Sequence, residues 1–315
     1  LSYIQYFDIK VFLKNLDKIN GIYVKDLDDL TAQKISNFYK QNPFPNYSID
    51  DNKSSILSKG NNNIIAKEIK NKIGLNKNVI EVGAGTCQMS NYFAIGTNNK
   101  VVAFDATIKS LEVGYNFSKN NHIENIQFVN GDIFDDIFEK NYFDLVWCNG
   151  VLHHTQNPQG AFDQISKILK PGGLIVIGLY NYYGRFRTHF RRKIFTFLGN
   201  KLGRGYLKLF DPTLRNMKKS QEAIDAWVQD QYIHPVEFTH TFSEVFSWFK
   251  KNGIQPVYTL PSVNTSYLQD DFNEFQIIKR RDNFDKINDI LIQINMIFSD
   301  LGSDGGLFIV VGKKC

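Results

Sequence analysis

The run Glu81-Val82-Gly83-Ala84-Gly85-Thr86-Cys87 closes a short apolar stretch with an acid and two glycines. Glycine lets a backbone turn tightly and come close to a ligand. Twenty residues after Gly85, the next apolar run ends in Asp105, where a carboxylate can take both hydroxyls of a ribose. A third run is followed by Gly131-Asp132-Ile133. The acid there can meet an exocyclic amine, and Ile133 can flank a flat ring. A fourth leads into Cys148-Asn149-Gly150-Val151-Leu152-His153-His154-Thr155, and either His153 or His154 can act as a general base. Each piece alone is ordinary. A Gly-x-Gly usually marks a turn, and an Asp after a strand usually caps a helix. Four of them, in order at successive run ends, point to one ligand crevice.

Further polar groups cluster later in the chain. His234, Glu237 and His240 stand at i, i+3 and i+6. That differs from the i, i+4 histidine pair of zinc hydrolases, and Pro235 opposes a regular helix, so no metal is expected. With Tyr232 and Asp230 they read as a polar wall facing a substrate. Tyr180-Asn181-Tyr182 ends a fifth apolar run at the crevice edge. Tyr47, with Phe44, belongs to a proline-broken segment that could fold over the ligand. Residues 182–219 hold eleven Lys or Arg against one acid, Asp211, a net +10 in a chain of net +5. Such asymmetry suggests an anionic partner. Arg185 and Arg187 are the arginines expected to grip it.

The elements that must position these groups follow from periodicity. Ile9, Phe12, Leu13, Leu16 and Ile19 recur at helical spacing, and further helices are expected over 29–40 and after Asn61. From Lys77, strands at 78–82, 100–105, 126–130, 143–148 and 174–179 alternate with helices at 86–95, 108–120, near 133–138 and at 158–170. Crossovers of this length make parallel connections, so the fold class is α/β, a doubly wound sheet. The alternation stops from Asn181 to His240, then resumes with a helix at 241–251 and a strand at 255–260. One amphipathic helix, with Ile287, Ile290, Leu291, Ile294, Ile297 and Phe298 on one face, precedes a closing strand at 307–311. The expected organisation is a helical cap (1–75), a core (76–181, completed by 241–262 and 304–315), a basic helical insert (182–240) and a late helical insert (263–303). Insertions after strand ends overhang the ligand crevice of such sheets.

On these residues, from about Val79 to Leu179, the chain resembles class I S-adenosylmethionine-dependent methyltransferases. The resemblance implies a Rossmann-like seven-stranded, mostly parallel sheet ending in an antiparallel hairpin. It implies that Gly83 and Gly85 line the methionine part of S-adenosylmethionine and that Glu81 orders their loop. It places Asp105 on the ribose, Ala106 beside the adenine, Asp132 on its amine and Asn149 near the sulfonium. One departure is Cys87, where many members have a third glycine; it would narrow the site near the cofactor. Beyond the sheet, Asn42-Pro43-Phe44-Pro45-Asn46-Tyr47, Gly178–Arg185 and Asp230–Glu237 are similar to segments of a smaller bacterial methyltransferase group. A nicotinamide-dependent oxidoreductase is the rival enzyme class, but its fingerprint wants glycine where Gln88 stands. A non-catalytic cofactor-binding homologue is the third class.

Composition limits the remaining choices. At 315 residues, 43% hydrophobic and 22% charged, the chain is globular rather than disordered. Its longest apolar stretch, 172–180, is far short of the roughly 20 residues of a membrane span. Three cysteines without a C-x-x-C suggest neither a disulfide framework nor zinc, and a cytoplasmic setting is expected. The segment 184–198 would align Phe186, Phe190, Ile194, Phe197 and Leu198 between arginines, a pattern for peripheral contact with an anionic membrane. RNA ranks below a small or lipid-linked anionic acceptor, because no RNA-binding motif stands in the chain.

Overall fold

The structure, a computed structural model, describes residues 16–41, 47–217, 221–261, 286–298 and 306–315. Its chain divides into two compact units, Leu1–Val176 with Lys313–Cys315, and Ile177–Gly312.

The first unit opens with an antiparallel hairpin, β1 (Asp17–Ile19) and β2 (Ile22–Val24). Helical spacing predicted otherwise here; Ile9, Phe12 and Leu13 lie outside the described residues, but Ile19 is in a strand. The reason is the Asn20-Gly21 pair, whose φ values of 50° and 89° make the two-residue turn that hairpins favour. Three helices follow: α1 (Leu30–Gln41), α2 (Lys53–Asn62) and α3 (Ile64–Ile73). Asn63 separates the last two, its side chain capping α3 at the Ala66 N–H.

The alternation then runs β3 (Asn78–Val82), α4 (Gln88–Ala94), β4 (Lys100–Asp105), α5 (Ile108–Asn120), β5 (Ile126–Asn130), β6 (Phe143–Asn149), α6 (Pro158–Ile168) and β7 (Leu169–Tyr180). Two local expectations fail. Residues 133–138 form turns instead of a helix, because Asp132 and Asp135 side chains accept from the Phe134 and Asp132 N–H groups at 3.0 and 2.9 Å. Strand β7 starts before Gly172-Gly173 and runs through them.

Strand order in this unit is β1-β2-β5-β4-β3-β6-β7. Pairings β2/β5, β5/β4, β4/β3 and β3/β6 are all parallel. The carboxyl ends of β3, β4, β5 and β6 therefore share one edge. The chain leaves β3 toward β4 and β5, then returns to β6 on the other side of β3, and that reversal opens a crevice at this edge. Val79, Ile80, Val101, Val102, Leu145 and Val146 are buried in the strands, each contributing roughly 1.5–3 kcal/mol relative to exposure.

The second unit takes up the end of β7 and continues with α7 (Phe186–Phe210), α8 (Pro212–Asn216) and α9 (Gln221–Val228). A π-helical turn, Gln229–Ile233, precedes α10 (Phe242–Lys251), β8 (Ile254–Leu260), α11 (Lys286–Asn295) and β9 (Leu307–Lys314). The order β7-β9-β8 puts the last strand of the chain between the other two. Helix α7 is broken at Gly199, whose φ of 72° is open to glycine. Phe195, Leu207, Leu214, Trp227, Val228 and Tyr232 form the core of the insert.

Burial sorts the side chains of the two amphipathic helices of this unit. On α7, Phe186, Phe190 and Phe197 are exposed, and Phe195 is the phenylalanine that is buried. On α11 and the turn after it, Ile290, Leu291 and Phe298 are exposed while Gln293 and Met296 are buried; Ile287 carries no described side chain. Gln293 goes inside because its amide oxygen accepts from Asn181 Nδ2 at 2.9 Å and from the Phe242 N–H at 3.2 Å.

Candidate active site

The shared edge of β3–β6 carries the chemistry-bearing groups of the first unit. Glu81 is the penultimate residue of β3. Its carboxylate accepts from the Ser90 N–H at 2.6 Å and from the Ser90 hydroxyl, both inside α4. Strand and helix are thus tied across the Gly83–Cys87 loop that joins them. Burial pushes the Glu81 carboxyl up to about 8, against the pull of the Ser90 hydrogen bonds, with the Asp105 charge adding to the rise.

The loop itself is held by β4. Gly83 and Ala84 donate N–H bonds to the Phe104 carbonyl at 2.8 and 3.0 Å, and Gly85 donates to Asp105 Oδ2 at 2.8 Å. Gly83 has φ 71°, and a Cβ there would lie 2.2 Å from Val151 of the loop after β6. Glycine is needed because two loops touch. Asp105 Oδ1 accepts from the Thr107 N–H at 2.7 Å. Burial raises the Asp105 carboxyl, while these backbone bonds hold it back. Ala106 beside it is half-buried.

At the end of β5, Asp132 is buried and pushed up by that burial, partly offset by the Phe134 N–H. Ile133 lines a recess with Val82, Phe104 and Phe138. Asn149 ends β6, and its Oδ1 is shut away from solvent with no hydrogen-bond partner. A buried acceptor left unmade costs about 1–3 kcal/mol, so a donor from a bound ligand has a place prepared for it. Glycines, carboxylates and this orphaned oxygen, all along one edge, fit an amino-acid and nucleoside ligand.

The expected constriction by Cys87 is not what the structure places there. Cys87 is buried at φ 64°, and its thiol points to Gly114 of α5, where a built Cβ would be 2.5 Å from Sγ. Burial pushes its thiol well up, with Glu81 and Asp105 adding, so it is no thiolate nucleophile.

Tyr47 stacks on Phe117 of α5, ring centroids 4.1 Å apart. Its hydroxyl donates to the Thr86 carbonyl at 2.8 Å and accepts from Asn91 Nδ2 at 3.0 Å. It braces the glycine loop from behind. Asn91, which also accepts from the Ser118 hydroxyl at 2.8 Å, escaped the sequence reading because a mid-helix Asn carries no motif. His153 and His154 lie in a short 3-10 turn, Leu152–His154, packed edge to face at 4.2 Å. His153 has no exposed surface and His154 keeps 6%.

In the second unit, Arg185 is fully buried instead of facing a ligand. It grips Glu237 with two parallel bonds, Nε to Oε1 at 3.1 Å and Nη2 to Oε2 at 2.7 Å, and its Nη1 donates to Gln231 Oε1 at 2.6 Å. The guanidinium lies over the Tyr180 ring, 3.8 Å from its centroid, and the Tyr180 hydroxyl accepts from Gln231 Nε2 at 2.8 Å. His189 Nε2 stands 2.9 Å from Glu237 Oε1. Burial alone would raise the Glu237 carboxyl; the His189 hydrogen bond and the Arg185 guanidinium outweigh it and bring it down to about 2. Tyr180, Arg185 and Glu237 are thus one network, together with Gln231 and His189. The i, i+4 spacing of Arg185 and His189 was the available signal for His189.

The other expected wall residues part company. Tyr232 donates to Asp211 Oδ2 at 2.8 Å, within the insert core. His234 is buried; its Nδ1 lies 2.7 Å from the Val236 carbonyl, and its own carbonyl accepts from Arg192 at 2.7 Å. His240 Nδ1 lies 2.9 Å from Glu244 Oε1. His234, Glu237 and His240 therefore serve three different partners. Among the described residues, no group of three or more His, Cys, Asp or Glu side chains could hold a metal. Asn181 is buried, with Oδ1 accepting from the Tyr183 and Gly184 N–H groups, both at 3.0 Å, while Tyr182 is exposed. Arg187 is half-exposed, with one nitrogen 3.5 Å from the Ile297 carbonyl.

Residues 73–197 match the family model described as a methyltransferase domain. The demethylmenaquinone methyltransferase of Staphylococcus saprophyticus is 33% identical over 114 residues, covering 36% of this chain and 47% of its own. The sterol 24-C-methyltransferase of Candida albicans is 24% identical over 216 residues, 62% of this chain and 56% of its own. The chain spans about half the length of the curated relatives it matches. In fold it is similar to PKMT2 of Rickettsia typhi, solved in complex with AdoHcy, at TM-score 0.55 and 16% identity, over 78% of this chain and 52% of that one. The glycine loop and the strand-end carboxylates fall inside the residues matched by the family model: over 73–197 the chain carries a methyltransferase domain.

Proposed function

We propose that this chain transfers a methyl group from S-adenosylmethionine to a small or lipid-linked, anionic acceptor recognised by the basic insert 182–240. The observation that carries the cofactor half is the orphaned Asn149 Oδ1 on the same edge as the Asp105 and Asp132 carboxylates and the Gly83–Gly85 loop. When bound, S-adenosylmethionine supplies a sulfonium methyl open to in-line displacement. Asp105, already fixed by Gly85 and Thr107, holds the ribose. Asp132 takes the adenine amine, Ala106 and Ile133 flank the ring, and Gly83, Gly85 and Asn149 receive the methionine end. His154, the member of the histidine pair that keeps some exposure, is our choice of base for the acceptor proton. Curated relatives named for demethylmenaquinone and for a sterol support an acceptor with apolar bulk.

Calorimetry tests the cofactor half. S-adenosylhomocysteine should bind and NAD should not. Tight NAD binding with no heat from S-adenosylhomocysteine would overturn the reading in favour of an oxidoreductase. Transfer of label from S-adenosylmethionine into a lipid extract, compared with water-soluble anions, tests the acceptor half. Incorporation into neutral acceptors only would remove the anionic requirement.

A further inference from the structure

Helix α7 has one side packed and one side open. Phe186, Phe190 and Phe197 are 62%, 58% and 89% exposed. At 3.6 residues per turn, Phe190 and Phe197 fall about 40° and 20° round the axis from Phe186. Phe195, about 180° away on the same count, is the one inside the insert core. After the Gly199 break, Leu202 and Leu209 are seven residues apart on one face and equally exposed, and Phe210 follows them. Among the described residues these six large apolar side chains, on the two helical segments that meet at Gly199, have no partner surface, more than the scattered exposure usual for monomers.

The charges around them are of one sign. Lys193, Lys201 and Lys208 are exposed on the same helix. The single acid of residues 182–219, Asp211, is buried and accepts from Trp227 and Tyr232. Three of the arginines are paired with acids: the buried Arg185 and the partly exposed Arg192 with Glu237, and the partly exposed Arg204 with Asp225. The exposed cations of α7 are Lys193, Lys201 and Lys208, with Arg187 and Arg191 half-exposed beside them, interleaved with phenylalanine and leucine. Lysines reach past an apolar stripe to charged headgroups while the stripe enters the acyl boundary. Nucleic acid would use the lysines and leave the apolar stripe in water.

We propose that the outer face of α7 docks this protein on an anionic lipid surface, lying in its plane. Among the described residues no helix is long and apolar enough to cross a membrane, so the contact is interfacial. The inference names the setting of the acceptor chemistry proposed above, but it rests on α7 alone and is read by binding instead of turnover.

The test is flotation of the full chain with vesicles of phosphatidylcholine containing phosphatidylglycerol, beside vesicles of phosphatidylcholine alone. The wild type should float with the anionic vesicles and fall away as salt is raised. Each lysine near an anionic surface is worth roughly fivefold in binding, so Lys193→Gln with Lys201→Gln should weaken it by more than tenfold. Phe186→Ser with Phe190→Ser and Phe197→Ser should abolish flotation while leaving the circular dichroism spectrum and S-adenosylhomocysteine binding unchanged. Absence of flotation in the wild type overturns the proposal, as does flotation indifferent to both sets of changes. A concentration-dependent dimer lost on the Phe changes, without lipid binding, would assign the face to a second copy instead. Failure of S-adenosylhomocysteine to bind would sink the methyltransferase reading and leave this one standing.

Discussion

The Cys87 thiol occupies the space that α5 leaves by having no side chain at Gly114. A Cβ on Gly114 would lie 2.5 Å from Sγ and 2.8 Å from the Thr86 carbonyl oxygen. The glycine loop and the helix packed behind it are therefore fitted to each other. Gly114→Ala should gain about 1 kcal/mol of helix propensity and lose more, roughly 1–3 kcal/mol, to overpacking. A lower melting temperature and weaker S-adenosylhomocysteine binding are expected together. Adding Cys87→Gly, which suits φ 64°, should restore part of the loss, the Thr86 carbonyl remaining close. Equal melting of Gly114→Ala and wild type would refute the fit.

Asp105 joins two loops by accepting from Gly85 and Thr107. In Asp105→Ala both N–H groups lose their partner and the proposed ribose contact goes too. Affinity for S-adenosylhomocysteine should drop by about 1–3 kcal/mol, read by calorimetry. Asp105→Asn, which keeps one acceptor oxygen, should lose less. An unchanged affinity in the alanine variant would take Asp105 out of the site.

How much of this was legible beforehand differs between the two units. Strands 78–82, 100–105 and 126–130 and helix 108–120 follow from short apolar runs, glycines and periodicity, and the structure has these bounds. Parallel strands buried on both faces leave little freedom in where such runs begin and end. The strand-end acids are legible for the same reason. The insert was harder. Arg185 is followed by a basic helix and looks solvent-directed, but Glu237 lies 52 residues away and no local pattern announces a long-range ion pair. Gln293 likewise sits on the polar side of its helix by composition and goes inside to meet Asn181. Buried polar contacts of that kind are fixed by tertiary pairing, which periodicity does not encode.

His154 is the proposed base. His154→Ala should lower kcat roughly a hundredfold, measured as label transferred from S-adenosylmethionine to the native acceptor. S-adenosylhomocysteine affinity should hold, which separates lost catalysis from a damaged fold. His153, without exposed surface, should show its effect in melting temperature instead. Near-normal turnover in His154→Ala would leave both histidines as packing for the turn after β6.

The Arg185–Glu237 pair makes the insert acid-sensitive. The Glu237 carboxyl, at about 2 in the folded protein against an ordinary 4.5, binds its proton less readily folded than unfolded. Its contribution is therefore present above pH 4.5 and lost as pH falls toward 2. Glu81 acts in the opposite sense: at about 8 when folded, it favours the folded state below pH 4.5 and loses that contribution as pH rises through 8. The two units should answer pH differently. Far-ultraviolet signal from the helix-rich insert should fall first on acidification, and Glu237→Gln should remove that step while lowering stability at pH 7. Removing one partner from a buried pair costs about 3–5 kcal/mol, so Arg185→Gln should destabilise the protein at neutral pH by that order. The double change Arg185→Leu with Glu237→Leu should recover much of the loss, because neither charge is left alone inside. If Arg185→Gln melts like the wild type and only raises KM, the arginine faces its acceptor after all, and the buried brace is wrong.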